Sequence, residues 1–151
     1  MKDRSIHLID VENLAGVSSL MEAAGVWVGD EYRRVVSVQH GDQVVVAASH
    51  RNAFAAAAAF PGARLLVKSG KDGADLKLLE VLTSENLDQR FSSIFLGSGD
   101  GIFANEAARH AALGVTVAGV SLPGHASTAL QMACQRTIYF GGAAFMLGKA
   151  S

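Results

Sequence analysis

Several things are scarce or missing in this sequence, and each absence removes a class of function. Cys134 is the one cysteine in 151 residues. An intrachain disulfide and a Cys-based zinc cluster are therefore both excluded. Excess charge is missing too: the net charge is −1 and the pI about 6.5. That excludes a strongly basic nucleic-acid binder, while leaving room for a local basic patch. No apolar run approaches the roughly 20 residues of a membrane span. The start, Met1-Lys2-Asp3-Arg4, enters an apolar stretch too short for a signal sequence. The expectation is a cytoplasmic protein with no membrane partner.

Familiar site motifs are also missing. "GSGDG" is not G-x-G-x-x-G, because the sixth position is Ile102, and nothing fits G-x-x-x-x-G-K-[ST]. No G-x-S-x-G elbow occurs. The five histidines lack metal-ligand spacing, and no RNP-like aromatic motif offers sequence-specific reading of RNA.

What is present is a chain that is half hydrophobic and only 18% charged, enough to fill the core of one domain. Short apolar runs read as strands: Ser5 to Ile9, Val44 to Ala48, Arg64 to Val67, Ser93 to Leu96, Val115 to Val120 and, at an edge, Thr137 to Phe140. Most are continuously apolar, as strands buried on both faces of a parallel sheet are. Helical patterns separate them. Asp30 is placed to cap a helix to about Gln39, and Asn52 to cap the alanine-rich "AFAAAAAF". Ala74 opens a third helix, with Leu76, Leu79 and Leu82 on one face. A fourth follows Asp100 and ends before Gly114. Ser127 opens a last one, with Cys134 inside it. The alternation predicts an α/β fold, a three-layer α/β/α sandwich over residues 1–140. The tail, 141–151, is apolar at Phe145, Met146 and Leu147, and can pack on the domain or on a second copy in a homodimer.

In such sheets the site lies beyond the carboxyl ends of the strands. Asp10 follows the first strand and Asp100 the fourth, while Asp75 opens the helix after the third. Three acids far apart in sequence can thus meet at one edge. Clustered carboxylates repel, and a divalent cation relieves them; an all-oxygen ligand set suits Mg²⁺ or Mn²⁺. Each acid also has a plainer reading: Asp10 as a turn residue, Asp75 at a helix N-terminus, Asp100 as a cap. Asp72 reads as a loop or capping residue, and Glu12 as a solvated or supporting one. Lys68, Lys71, His50 and Arg51 fall on the same edge and can contact phosphates.

Four segments in order carry a resemblance: "HLIDVENL", "SGKDGADLKLLEVL", "LGSGDGIFANEAARHAALGVTVAGV" and "ASTALQMACQRTIYF". Together they resemble the NYN domains, a PIN-like nuclease family. The resemblance implies a PIN-like Rossmannoid sheet of order 3-2-1-4-5 and a metal-dependent ribonuclease acting on RNA. It also implies metal-site roles for Asp10, Asp75 and Asp100, with Asn13 as the site asparagine and Ser98 as the turn serine that orients a ligand. The chain departs from the family at Ile102 and Gln135, where it often has acids. A domain that binds RNA or a protein partner without cutting, and a small-phosphoester hydrolase, are the alternative functions.

Overall fold

The computed structural model describes residues 3–141. Six strands form one sheet: β1 (Ser5–Asp10), β2 (Gln43–Ala48), β3 (Arg64–Val67), β4 (Ser93–Gly97), β5 (Thr116–Ser121) and β6 (Arg136–Tyr139). Every pairing is parallel, and the order is β3-β2-β1-β4-β5-β6. The expected order is therefore extended by one edge strand. Strand order reverses between β1 and β4, which makes their carboxyl ends the switch point of the sheet.

Alternation along the strands divides the core. Ile6 and Leu8 face one layer, with Ile94 and Leu96 beside them. That layer is α4 (Gly73–Ser84), α5 (Leu87–Arg90), α6 (Ala104–Ala112) and α7 (Thr128–Ala133). Leu78, Leu82, Phe103 and Leu130 fill the space between. Ile9 and Val46 face the other layer, made of α1 (Val11–Ala15), α2 (Glu22–Val35) and α3 (Ala53–Ala59), through Leu14, Val28 and Tyr32. Each fully buried side chain of this size contributes about 1.5–3 kcal/mol.

The first long helix differs from its expected Asp30–Gln39 span. It begins at Glu22, so Asp30 is an exposed interior residue, 3.6 Å from Arg33. Met21 occupies the N-cap without any side-chain cap bond, which is why no start signal marks it. Its glycines serve packing: a Cβ on Gly25 would sit 2.2 Å from the Ala55 carbonyl oxygen, and one on Gly29 2.0 Å from that of Ala59. The short α1 and α5 add to the expected set. Asn52 stands at the α3 N-cap position but makes no cap bond. Its amide instead donates to Glu12 and the Ser18 carbonyl, and its Oδ1 accepts from the Leu20 N–H at 2.8 Å. Ser127 does cap its helix, accepting from the Leu130 N–H at 3.1 Å. Cys134 lies just past α7 rather than inside it, and burial pushes its thiol up to about 11. The tail beyond Gly141 lies outside the described residues.

Candidate metal centre

Ile9 pairs with Gly97, so Asp10 and Ser98 leave the sheet side by side. Asp10 shares the face of Ile6 and Leu8 and so meets the α4 layer. There Asp75 sits in the first turn of α4. Asp10 and Asp75 line the same cavity, and each carboxyl group bears on the other's pKa. Carboxylate oxygens of Asp72, Asp75 and Asp100 lie within 4.8 Å of one another, a group that does not include Asp10.

The structure thus brings Asp10, Asp75 and Asp100 to one edge and adds Asp72. Asp72 holds the α4 N-cap position, as a capping residue would, yet its side chain makes no cap bond. It stands three residues before Asp75, at the N-cap rather than within the helix, a spacing present in "KDGAD". Gly73 fixes the arrangement: a Cβ there would be 2.2 Å from the Lys68 carbonyl oxygen, so the loop folds tightly onto the start of α4.

Asp10 and Asp100 also serve the backbone. Asp10 Oδ1 accepts from the Glu12 and Asn13 N–H groups, both at 3.1 Å, and caps α1. Asp100 Oδ1 accepts from the Ile102 N–H at 2.9 Å. The plain and the functional readings of these acids are compatible, because each keeps a second oxygen. Asn13 and Ser98 shape the turn that carries Asp100: Asn13 Oδ1 accepts from the Gly99 N–H at 3.1 Å, and Ser98 Oγ from the Asp100 N–H at 3.2 Å. A Cβ on Gly99 would lie 2.5 Å from the His125 carbonyl oxygen, so the turn is clamped from the other side as well.

Charge is the unusual feature. Among the described residues, none of Asp10, Asp72, Asp75 or Asp100 has a cationic side chain within 4.0 Å. Asp75 Oδ1 is buried with no hydrogen-bond partner. Burial, then the neighbouring Asp10 and Asp100, raises the Asp75 pKa to about 9. Asp10 is raised as well, chiefly by burial, against the pull of its backbone N–H donors and Asp75. A buried, partnerless oxygen among oxygen donors is what a hard divalent cation fits.

Lys68 lines a cavity of about 190 Å³ together with Asp10, Asp72 and Asp75. Arg51 borders the adjoining one, of about 370 Å³. His50 is exposed, with its Nδ1 2.7 Å from Ser69 Oγ. Lys71 is exposed in the same loop. Glu12 is a tether: it accepts from Ser49 Oγ at 2.5 Å and from Asn52, pinning α1 to the end of β2. Gln135 stands far from the acids. Its Oε1 accepts from the Val117 N–H at 2.7 Å, near the start of β5 on the opposite edge, so an acid at that position would not reach the cluster. A larger concavity of about 550 Å³ opens on that opposite edge, between Arg33, Phe60 and Arg64, away from the carboxylates.

An all-parallel sheet of this order, with acids converging beside β1 and β4, defines a PIN-like α/β domain. Residues 8–141 match the NYN domain, and the chain belongs to that family. The fold is similar to the crystal structure of a protein of unknown function from Vibrio parahaemolyticus. The TM-score is 0.65, over 91% of this chain and 93% of that one, at 16% identity, a likeness of fold alone. No curated protein matches the sequence. Among the described residues, no helix is long and apolar enough to cross a membrane.

Proposed function

We propose that the domain is a metal-dependent endoribonuclease, hydrolysing RNA phosphodiesters at the carboxylate cluster. The observation that carries this is the meeting of Asp72, Asp75 and Asp100 within 4.8 Å, with Asp10 against Asp75 and no cationic partner. Membership of the NYN family, with its PIN-like nuclease character, supports RNA as the substrate.

Asp10, Asp75 and Asp100 would hold Mg²⁺ or Mn²⁺, joined by Asp72. When bound, such an ion polarises a phosphate oxygen and makes water a stronger nucleophile. Asn13 and Ser98 hold the Asp100 turn in place through the Gly99 and Asp100 N–H groups. Lys68 and Arg51, with Lys71 and His50 at the margin, grip phosphates, which sets the path of a strand without reading its bases. Asp75 would give up its proton on holding the ion, since a carboxylate ligand is bound ionised.

Asp100→Asn removes one carboxylate charge and keeps the oxygen that caps the following turn. The expected result is loss of Mn²⁺-dependent cleavage of single-stranded RNA, with an unchanged circular dichroism spectrum. Undiminished cleavage by this variant rules the assignment out. Ile102 favours a second reading, a domain that binds RNA without cutting. It is exposed at the mouth of the site, where relatives of the family often carry another acid. Binding of RNA with no turnover in Mg²⁺ or Mn²⁺ selects that reading.

A further inference from the structure

Phe54 is the odd residue of α3. Its neighbours Ala55, Ala56 and Ala59 are the buried face of the helix, while Phe54 is 79% exposed and adds nothing to the core. Beside it Met21 is 82% exposed, and the two border an apolar hollow of about 480 Å³. This hollow is joined to the carboxylates. Glu12, Ser49 and Gly70 are walls shared by the carboxylate cavity and its neighbour. Arg51 is shared by that neighbour and the Phe54 hollow. Three adjoining hollows therefore form a row, a trough in three parts, from Asp10 and Asp75, past Arg51, to Phe54.

We propose that Phe54, backed by Met21, is a stacking platform for a nucleobase of the single-stranded RNA substrate, one step along the trough from Arg51. The assignment rests on the nuclease reading of the carboxylate cluster. The chemistry of the trough changes in the order a single strand needs. Acids with a bound cation take the scissile phosphate, Arg51 takes a neighbouring phosphate, and an aromatic face takes the base beyond. Glu22 also borders the hollow and repels backbone phosphate there, which favours a base over a phosphate as the occupant. Stacking on an exposed ring accepts any base, because every base has a π-face. That agrees with a chain that has no RNP-like motif. A duplex keeps its bases stacked inside and cannot use the platform.

The test compares the full-length protein with Phe54→Ala and Phe54→Trp. A labelled single-stranded oligoribonucleotide is titrated in EDTA by fluorescence anisotropy. Cleavage of the same oligonucleotide and of a dinucleotide is followed in Mn²⁺. Phe54→Ala is expected to weaken binding of the oligonucleotide about tenfold and to raise its KM. The rate on the dinucleotide, the binding of duplex RNA and the rise of Tm with Mn²⁺ stay as in the parent. Phe54→Trp is expected to restore affinity. If the parent cuts RNA and Phe54→Ala binds and cuts equally well, the platform alone is overturned. If Phe54→Ala instead alters the oligomeric state or Tm with RNA affinity unchanged, the patch serves a second copy or the chain's own tail, and the platform is again overturned. If the parent neither binds nor cuts RNA while Mn²⁺ still raises Tm, the RNA reading falls and takes the platform with it.

Discussion

Asp75 is where the demands of folding and of ligand binding conflict. The folded protein holds its proton up to about pH 9, because of burial and then the negative neighbours Asp10 and Asp100. The unfolded chain releases it near the ordinary value of 3.8. The stability linked to that proton is complete below the unfolded value and is lost as pH rises toward the folded one. In EDTA, the unfolding free energy is therefore expected to fall across this window, by up to about 1.4 kcal/mol per pH unit. Asp75→Asn should flatten the slope, and saturating Mn²⁺ should oppose it, as urea titrations at several pH values will show. A profile in EDTA that is identical for parent and variant counts against a buried Asp75 that keeps its proton in the folded protein.

Asp42 shows the opposite sign at the other edge of the sheet. Burial by itself would raise its pKa. His7, Ser5 and Gln39 outweigh that by hydrogen bonding to the carboxylate, and the net shift is downward. Asp42 Oδ2 lies 2.9 Å from His7 Nε2, and Oδ1 accepts from the Ser5 N–H at 3.0 Å. His7 Nδ1 is in turn 2.7 Å from the Tyr32 hydroxyl, so each ring nitrogen of this buried histidine has a partner. Burial holds the His7 pKa below its usual value, against the pull of Asp42. The stability that Asp42 contributes is present above its unfolded value and is lost as pH falls through the lower folded one. Asp42→Ala is expected to cost about 1–3 kcal/mol at neutral pH, and less in acid. Chemical denaturation at both pH values checks it.

At the scale of elements, glycine decides which helices can touch. The α2–α3 contact places backbone against backbone at Gly25 and Gly29. Gly29→Ala forces its methyl group toward the Ala59 carbonyl, which already accepts from Arg33 Nη2 at 2.7 Å. Separating the helices is expected to cost about 1–3 kcal/mol, or more where the backbone cannot yield. Because α3 follows Arg51 and carries Phe54, the proposed stacking platform predicts that the same change also weakens RNA binding. Gly73 acts likewise at the carboxylate cluster. Gly73→Ala pushes the Lys68–Lys71 loop from the start of α4, and is expected to lower Mn²⁺ affinity more than global stability. Calorimetric Mn²⁺ titration beside thermal melting separates the two effects.

At the scale of the whole molecule, the carboxylates link the two sides of the switch point. Asp10 leaves β1, Asp100 follows β4, Asp75 lies in the first turn of α4 and Asp72 at its N-cap. A bound cation would tie three elements together and stabilise the native state by mass action, by about 2.7 kcal/mol at a hundred times Kd. Tm is therefore expected to rise with Mn²⁺ concentration in the parent and not in Asp10→Asn. An equal rise in both removes Asp10 from the binding set.

Much of this molecule was legible from one-dimensional pattern. Short, largely apolar runs such as "SIHLI" and "VVVAA" suit strands buried on both faces, and their alternation with helical patterns points to a parallel sheet. The acids after β1 and β4 were legible for the same reason: strand ends in such a sheet lead to one edge. Helix boundaries set by packing were not legible. The start of α2 lacks a capping side chain, and its glycines make sense only against the α3 carbonyls. Gln135 looked from its segment like a site position, yet it pairs with the β5 backbone at the wrong end of the sheet.

The sequence by itself determined the class of fold, the edge at which acids gather, and Asp10, Asp75 and Asp100 as the residues to watch. Those follow from hydrophobic period and from the directionality of parallel strands, which are local properties. Only the tertiary structure decided that Asp72 joins the cluster, that Glu12 is spent on Ser49 and Asn52, and that Phe54 faces out beside a trough leading from the acids. These depend on which surfaces meet across helices α1, α3 and α4, and contacts between segments distant in sequence have no local signature.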